Sequence, residues 1–389
     1  MSHDIRNLRR YDPLAARQPE RAVEDPLRPP ADLDVLLLGA GNSGETVVLR
    51  CQALAYNDGT FFTAAGLNDD RLAPRPVAVR RSDGTVGPLE LIERLVMDGD
   101  NPRDQVHDYA LLARRYQHLL RGVPVFETYP RAGAGGHGHP VVSALDIDLH
   151  IDEVLGLLRR ALHRLRDEPA VAPGQSDLQR LLAQGQHRQE PAREKRIVVI
   201  GGGCGAMGNA AHQLVPYLLR WLLAEQGVAA YQLWAVVLGP RAFTGLTPFV
   251  RHNYRALLEA IEHLSRHGQR RAYINDLEIG IQQPPYDRVF LLDDPALPGE
   301  GSRVTEAETD GFLDRAALSL YLLLRGDVWQ TVASHTANDD GIVREDGRLR
   351  YLHTVQGVAI GADRDQISDL LATSLSARVL EQFIGRFDG

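Results

Sequence analysis

The stretch Arg196-Ile197-Val198-Val199-Ile200-Gly201-Gly202-Gly203-Cys204-Gly205-Ala206-Met207-Gly208, followed by an apolar-faced run from Asn209 to Glu225, decides the fold. The short apolar run before the glycines has no polar alternation, which is the pattern of a strand buried on both faces. Such strands belong to parallel sheets with helices on either side. Asn209 to Glu225 reads as the helix that leaves the loop. Five glycines in eight residues separate the two. Glycine loses more conformational freedom on folding than any other residue, so this density is unfavourable unless the backbone must bend sharply or approach something closely. A plain strand-to-helix turn needs far fewer. At a helix N-terminus, where unpaired N–H groups and the positive dipole end face outward, a phosphate is the natural thing to approach.

Earlier in the chain the same grammar recurs. Asp34 to Leu38 is a second apolar run. It enters Gly39-Ala40-Gly41-Asn42-Ser43-Gly44 and is followed by a helix read from Glu45 to Ala55. By itself this G-x-G-x-x-G also fits a ligand-free turn or a dinucleotide fold. Residues 61–67 read as the next strand and lead into Asn68-Asp69-Asp70. An NAD(P)-dependent enzyme built on GAGNSG would take Asp69 or Asp70 as its ribose acid. It would have no use for the denser second cradle. A third cluster, Gly133-Ala134-Gly135-Gly136-His137-Gly138-His139-Pro140, suits a further phosphate-facing loop. Its histidines alternate, are not spaced i,i+4, and have no cysteine nearby, which disfavours a metal tract.

The remaining chain continues the alternation. Helices are expected at 104–121, 144–166 and 306–325, around His252 to Leu264, and at 363–386. Strands are expected at 123–129, 232–238, 288–292 and within 351–360. This is an α/β, three-layer sandwich with a mostly parallel sheet. Residues 1–31 read as an irregular lead-in, 32–325 as the main domain, 167–194 as a surface insertion, and 326–389 as a reduced C-terminal portion. Hydrophobic residues make up 44% and charged residues 24% of 389, enough for a sizeable core. The formal net charge of −8 argues against a dedicated nucleic-acid binder. Two cysteines, Cys51 and Cys204, imply no disulfide framework. No signal-peptide core and no membrane-length apolar run stands in the sequence, so a cytoplasmic location is expected.

In their order, these motifs resemble the tubulin/FtsZ superfamily, and more closely the bacterial tubulin-like proteins within it. GAGNSGETVVLR resembles the first nucleotide loop and its helix. GAGGHGHP resembles the loop facing the terminal phosphate, and GGGCGAMG the family signature GGGTGSG or GGGTGTG. RHNYRALLEAIEHL resembles the segment after the ribose loop, and PPYDRVFLLD the strand before the long central helix. The resemblance covers roughly residues 34–325. It implies GTP or GDP held with Mg2+ by Gly39, Gly41, Asn42, Ser43, Gly44, Glu45, Asn68, Gly133, Gly135, Gly136, Gly202, Gly203, Cys204, Gly205 and Ala206. It implies Asn253 as the residue that reads guanine, and assembly into a homo-oligomer or filament.

Three departures accompany it. Cys204 replaces the usual Thr, and Met207 stands where the signature has a glycine. After the central helix, where the family places an N-x-D-x-x-D/E pattern for hydrolysis, this chain offers only Asn338, Asp339 and Asp340, in a different spacing. An Asx-rich turn accounts for those three as well. Guanine-nucleotide binding with at most weak GTPase activity is therefore the expectation. An NAD(P)-dependent enzyme and a tubulin-like scaffold that has lost its nucleotide remain the alternatives.

Overall fold

The computed structural model describes residues 31–57, 61–80, 85–91, 93–97, 102–120, 136–165, 195–243, 250–294, 297, 304–324 and 352–354. Gly133, Gly135, the strand expected at 123–129, the insertion at 167–194, Asn338 to Asp340 and the helix expected at 363–386 lie outside the described residues. Among the described residues seven strands form one sheet: β1 (Ala31–Ala40), β2 (Phe61–Asn68), β5 (Arg94–Val96), β6 (Lys195–Gly202), β7 (Tyr231–Leu238), β10 (Arg288–Leu292) and β11 (Leu352–Thr354). Their spatial order is β11-β10-β7-β6-β1-β2-β5, and every neighbouring pair is parallel. Two antiparallel hairpins stand apart from it, β3 (Val77–Arg80) with β4 (Val86–Leu89), and β8 (Gln269–Ala272) with β9 (Glu278–Ile281).

The period-two geometry of a strand divides each apolar run between two layers. Leu36, Leu38, Ile197, Val199, Leu233 and Ala235 face one side, where α5 (Ile151–Arg164) and α6 (Ala206–Glu225) cover them. Val35, Leu37, Val198, Ile200, Trp234 and Val236 face the other, against α1 (Gly41–Asn57) and α8 (Glu306–Leu324). Both faces are dry, and this explains why β1 and β6 read as unbroken apolar runs. Arg50 of α1 bridges to Asp310 and Asp314 of α8, both at 2.9 Å, and locks that layer together.

Several boundaries differ from the sequence reading. The span 104–121 is two helices, α2 (Pro102–Asp108) and α3 (Ala110–Leu120). The span 144–166 is also two, α4 (Pro140–Leu149) and α5, broken where His150 leaves helical geometry at φ −103° and ψ 29°. Pro140 opens α4 because a proline has no N–H to lose in the first turn. Helices α1 and α6 begin at Gly41 and Ala206, inside segments read as loop. The sheet also continues past residue 325, since β11 pairs with β10. The segment read around His252 to Leu264 is α7 (Val250–His267). No described helix is long and apolar enough to cross a membrane.

Candidate functional site

Strand order reverses between β1 and β6. From β1 the sheet grows through β2 to β5; from β6 it grows the other way, through β7 and β10 to β11. In an open α/β sheet the crevice beyond the carboxyl ends at such a reversal is where ligands bind. A cleft of about 330 Å3 lies there. Its walls are residues 40–43 after β1, 68–70 after β2, 136–138 before α4, and 202 and 204–208 after β6, with Phe243 and Val250 on its apolar side. Three glycine-rich segments that are far apart in sequence thus meet at one place.

Of the residues expected at the site, Gly41, Asn42, Ser43, Asn68, Gly136, Gly202, Cys204, Gly205 and Ala206 line this cleft. Gly39, Gly44, Glu45, Gly203 and Asn253 do not. An added Cβ at Gly39 would meet the backbone of Glu45 at 2.8 Å, and one at Gly203 would meet Tyr254 at 2.7 Å and Val237 at 2.8 Å. These glycines permit close packing of helix on sheet behind the cleft. Asn253 lies inside α7, not at its cap, and its amide nitrogen donates to the carbonyls of Gly138 at 2.7 Å and Cys204 at 2.9 Å. The donor half of a base-reading amide is therefore already committed to the backbone.

Beneath the first loop a polar network fixes the wall. Glu45 is fully buried, accepts from Arg94 Nε at 2.8 Å and from Asn68 Nδ2 at 2.8 Å, and burial raises its pKa above the ordinary carboxylate value. The Asn68 amide also reaches Asn42 Oδ1 at 2.7 Å, while Asn42 Nδ2 donates to Asp70 Oδ2 at 3.0 Å. Arg94 continues to the carbonyl oxygens of Asp70 and Leu72, at 2.9 and 2.7 Å. On the opposite wall Ser143 donates to the Asp69 carboxylate. Burial pushes the Asp69 pKa up to about 6, partly offset by that hydroxyl. Asp146 of α4 is buried below it, with no hydrogen-bond partner for either carboxylate oxygen among the described residues, and burial together with the Asp69 charge holds its pKa well above the ordinary value.

Cys204 is buried against the α1 and α8 layer as well as lining the cleft, and burial drives its thiol pKa upward, so the side chain is an inert apolar filler. Met207, read as a departure from the glycine signature, is buried in the first turn of α6 and faces Gly41, whose φ of +69° suits glycine. The two loops interlock there. Sequence reasoning did not assign Ala40, Asp69, Asp70, His137, Gly138, Met207, Gly208, Phe243 and Val250 to the nucleotide site, and all of them line the cleft. The Gly239-Pro240 pair directly after β7 was the signal for Phe243, because it marks another strand end at the same edge of the sheet. Among the described residues no group of three or more His, Cys, Asp or Glu side chains is arranged to hold a metal ion.

No protein-family model matches the sequence, and no curated protein matches it. Among solved structures the chain is similar to CetZ2 from Haloferax volcanii, determined as a GTPgS-bound protofilament, at 16% identity and a TM-score of 0.39, covering 79% of this chain and 62% of that one. It is similar also to CetZ1 from the same organism, a GDP-bound monomer, at 13% identity and a TM-score of 0.40, covering 78% and 63%. The chain thus spans less than two thirds of either protein's length. Both are archaeal and lend no support to a bacterial placement. Likeness at this level fixes no residue correspondence, and the α/β assignment rests on the strand order itself.

Proposed function

We propose that the cleft binds a guanine nucleotide, GTP or GDP, and that the chain is a tubulin-like protein. The carrying observation is the meeting of residues 41–43, 136–138 and 202–208 at the β1/β6 reversal, each a glycine-rich segment at a strand end or a helix start. Among the described residues that line the cleft there is no lysine or arginine. Among the described residues, phosphate charge is met by backbone N–H groups and by the positive ends of α1 and α6, together with a cation that arrives with the nucleotide. Mg2+ suits that role, because it bridges phosphate oxygens, keeps several waters and needs no all-protein cage. Phe243 and Val250 supply an apolar edge for the ribose or base. The choice of guanine rests on the motif resemblance.

Self-assembly into a homo-oligomer or filament and a cytoplasmic, cytoskeletal role belong to the same reading. Turnover is expected to be slow, since Asn338, Asp339 and Asp340 lack the family spacing. The dinucleotide alternative is disfavoured at both residues that could supply its ribose acid. Asp69 is turned to Ser143 beside the Gly136 loop, and Asp70 is engaged by Asn42. Calorimetric titration tests the proposal: GTP and GDP should each bind with one site per chain, and NAD should give no heat of binding.

A further inference from the structure

Two asparagines stand directly behind the glycine loop that follows β6. Asn209 Nδ2 donates to the carbonyl of Gly203 at 2.9 Å and to the carbonyl of Asn253 at 2.8 Å. Asn253 Nδ2 donates to the carbonyls of Cys204 and Gly138. Gln213 Nε2 donates to Asn209 Oδ1 at 2.7 Å, which fixes the way that amide is turned. Both donor hydrogens of each asparagine are thereby used on main-chain oxygens, and both side chains sit at the joint of α6, α7 and the two loops.

The peptide bond is planar, and in its trans form the carbonyl of one residue and the N–H of the next point in opposite directions. No cis peptide occurs among the described residues. Holding the Gly203 and Cys204 carbonyls against the asparagines therefore aims the N–H groups of Cys204 and Gly205 the other way. Both residues line the cleft. The preceding N–H, of Gly203, is turned back into the sheet to Leu238 O at 3.1 Å, so the outward pair begins at Cys204. On the other wall, the amide that holds the Gly138 carbonyl supports a turn closed by His139 N–H to Gly136 O at 2.8 Å.

We propose that Asn253 and Asn209 are positioning residues that aim the Cys204 and Gly205 N–H groups at the ligand's phosphates and fix the spacing between the two facing loops, and that Asn253 does not read the base. This rests on the nucleotide reading of the cleft. An amide suits both positions, because its nitrogen carries two hydrogens and can hold two carbonyls at once. A carboxylate of the same shape would repel both.

The test is Asn253→Asp, titrated with GTP, GDP and XTP. A positioning role predicts that all three affinities fall together, by about tenfold or more, with the GTP-to-XTP ratio unchanged. A base-reading asparagine predicts the opposite pattern, a shift of preference toward XTP, and that result overturns the proposal. Unchanged GTP affinity overturns it too. If the variant does not fold, the wild-type protein answers by NMR. The backbone amide signals of Cys204 and Gly205 should both move on saturation with GTP, and two unmoved signals in a GTP-bound protein contradict the inference while leaving the function intact. A wild-type protein that binds none of these nucleotides removes the functional reading itself, and the inference with it.

Discussion

The Cβ that Gly44 lacks would lie 2.3 Å from the carbonyl oxygen of Ile200. Helix α1 therefore rests on β6 backbone to backbone, and the closeness of that contact brings the Gly39–Gly44 loop beside the Gly201–Gly208 loop. Gly44→Ala should force the helix off the strand. Overpacking of this kind destabilises by about 1–3 kcal/mol, and more where backbone must yield. Denaturant unfolding reads it, and a variant as stable as wild type would show that α1 sits farther out than described.

Gly203 and Gly205 should separate fold from binding. At Gly203 a side chain runs into Tyr254 and Val237, so Gly203→Val should lower stability with or without ligand. At Gly205 the nearest atom to an added Cβ is 3.9 Å away, and φ −81° with ψ 175° is extended backbone that suits a β-branched residue. Gly205→Val should leave circular dichroism and unfolding unchanged while GTP affinity falls by about 1–3 kcal/mol through obstructed N–H contacts. Equal stability losses in the two variants would count against this division.

Arg94 should matter mainly for Glu45. Removing one partner of a buried pair leaves an uncompensated charge and is destabilising by about 3–5 kcal/mol. Arg94→Leu should approach that loss, and Glu45→Gln in the same background should recover part of it. Thermal melts of the single and double variants decide the matter. Failure of the second change to help would mean that Arg94 acts through its bonds to the Asp70 and Leu72 carbonyls instead.

Asp69 should give the protein a pH dependence of unusual sign. Its folded pKa is raised from 3.8 to about 6, so the folded state binds the proton more tightly than the unfolded chain. The stability this contributes is complete below the ordinary value and is lost as pH rises through about 6. Asp146, raised by burial and by Asp69, acts in the same direction. The expected result is that Asp69→Asn gains stability relative to wild type as pH is taken from about 4 to about 7. Urea midpoints across that range read the difference, and a constant difference would exclude the titration.

Much of this site was legible because buried parallel strands write themselves as plain apolar runs. Val35 to Leu38 and Ile197 to Ile200 each fill both layers, and the glycines that follow mark where each strand ends. What the sequence hid was shorter or more local. The β3–β4 hairpin holds Pro88 inside a strand, and β5 is only Arg94–Val96, too brief for any period to show. The two expected long helices each divide because a single residue, Tyr109 or His150, leaves the helical path while the apolar spacing continues across it. Glycines with different tasks look alike in sequence. Gly203 makes room for Tyr254 behind the cleft and Gly205 faces into it, and only the placement of neighbouring atoms tells them apart. Asn253 is a related case, since its sequence position does not reveal that its amide nitrogen is bonded to main-chain carbonyls.

The central claim is that the cleft holds a guanine nucleotide, and thermal denaturation of nucleotide-free protein with GTP, GDP, ATP or NAD tests it most directly. A ligand that binds only the folded state stabilises it by RT ln(1 + [L]/Kd), about 2.7 kcal/mol at a hundredfold excess over Kd. GTP and GDP should raise the midpoint by several degrees, with GTP further strengthened by Mg2+, while ATP and NAD leave it in place. A rise with NAD and none with either guanine nucleotide would contradict the account and return the Gly39–Gly44 loop to the dinucleotide reading.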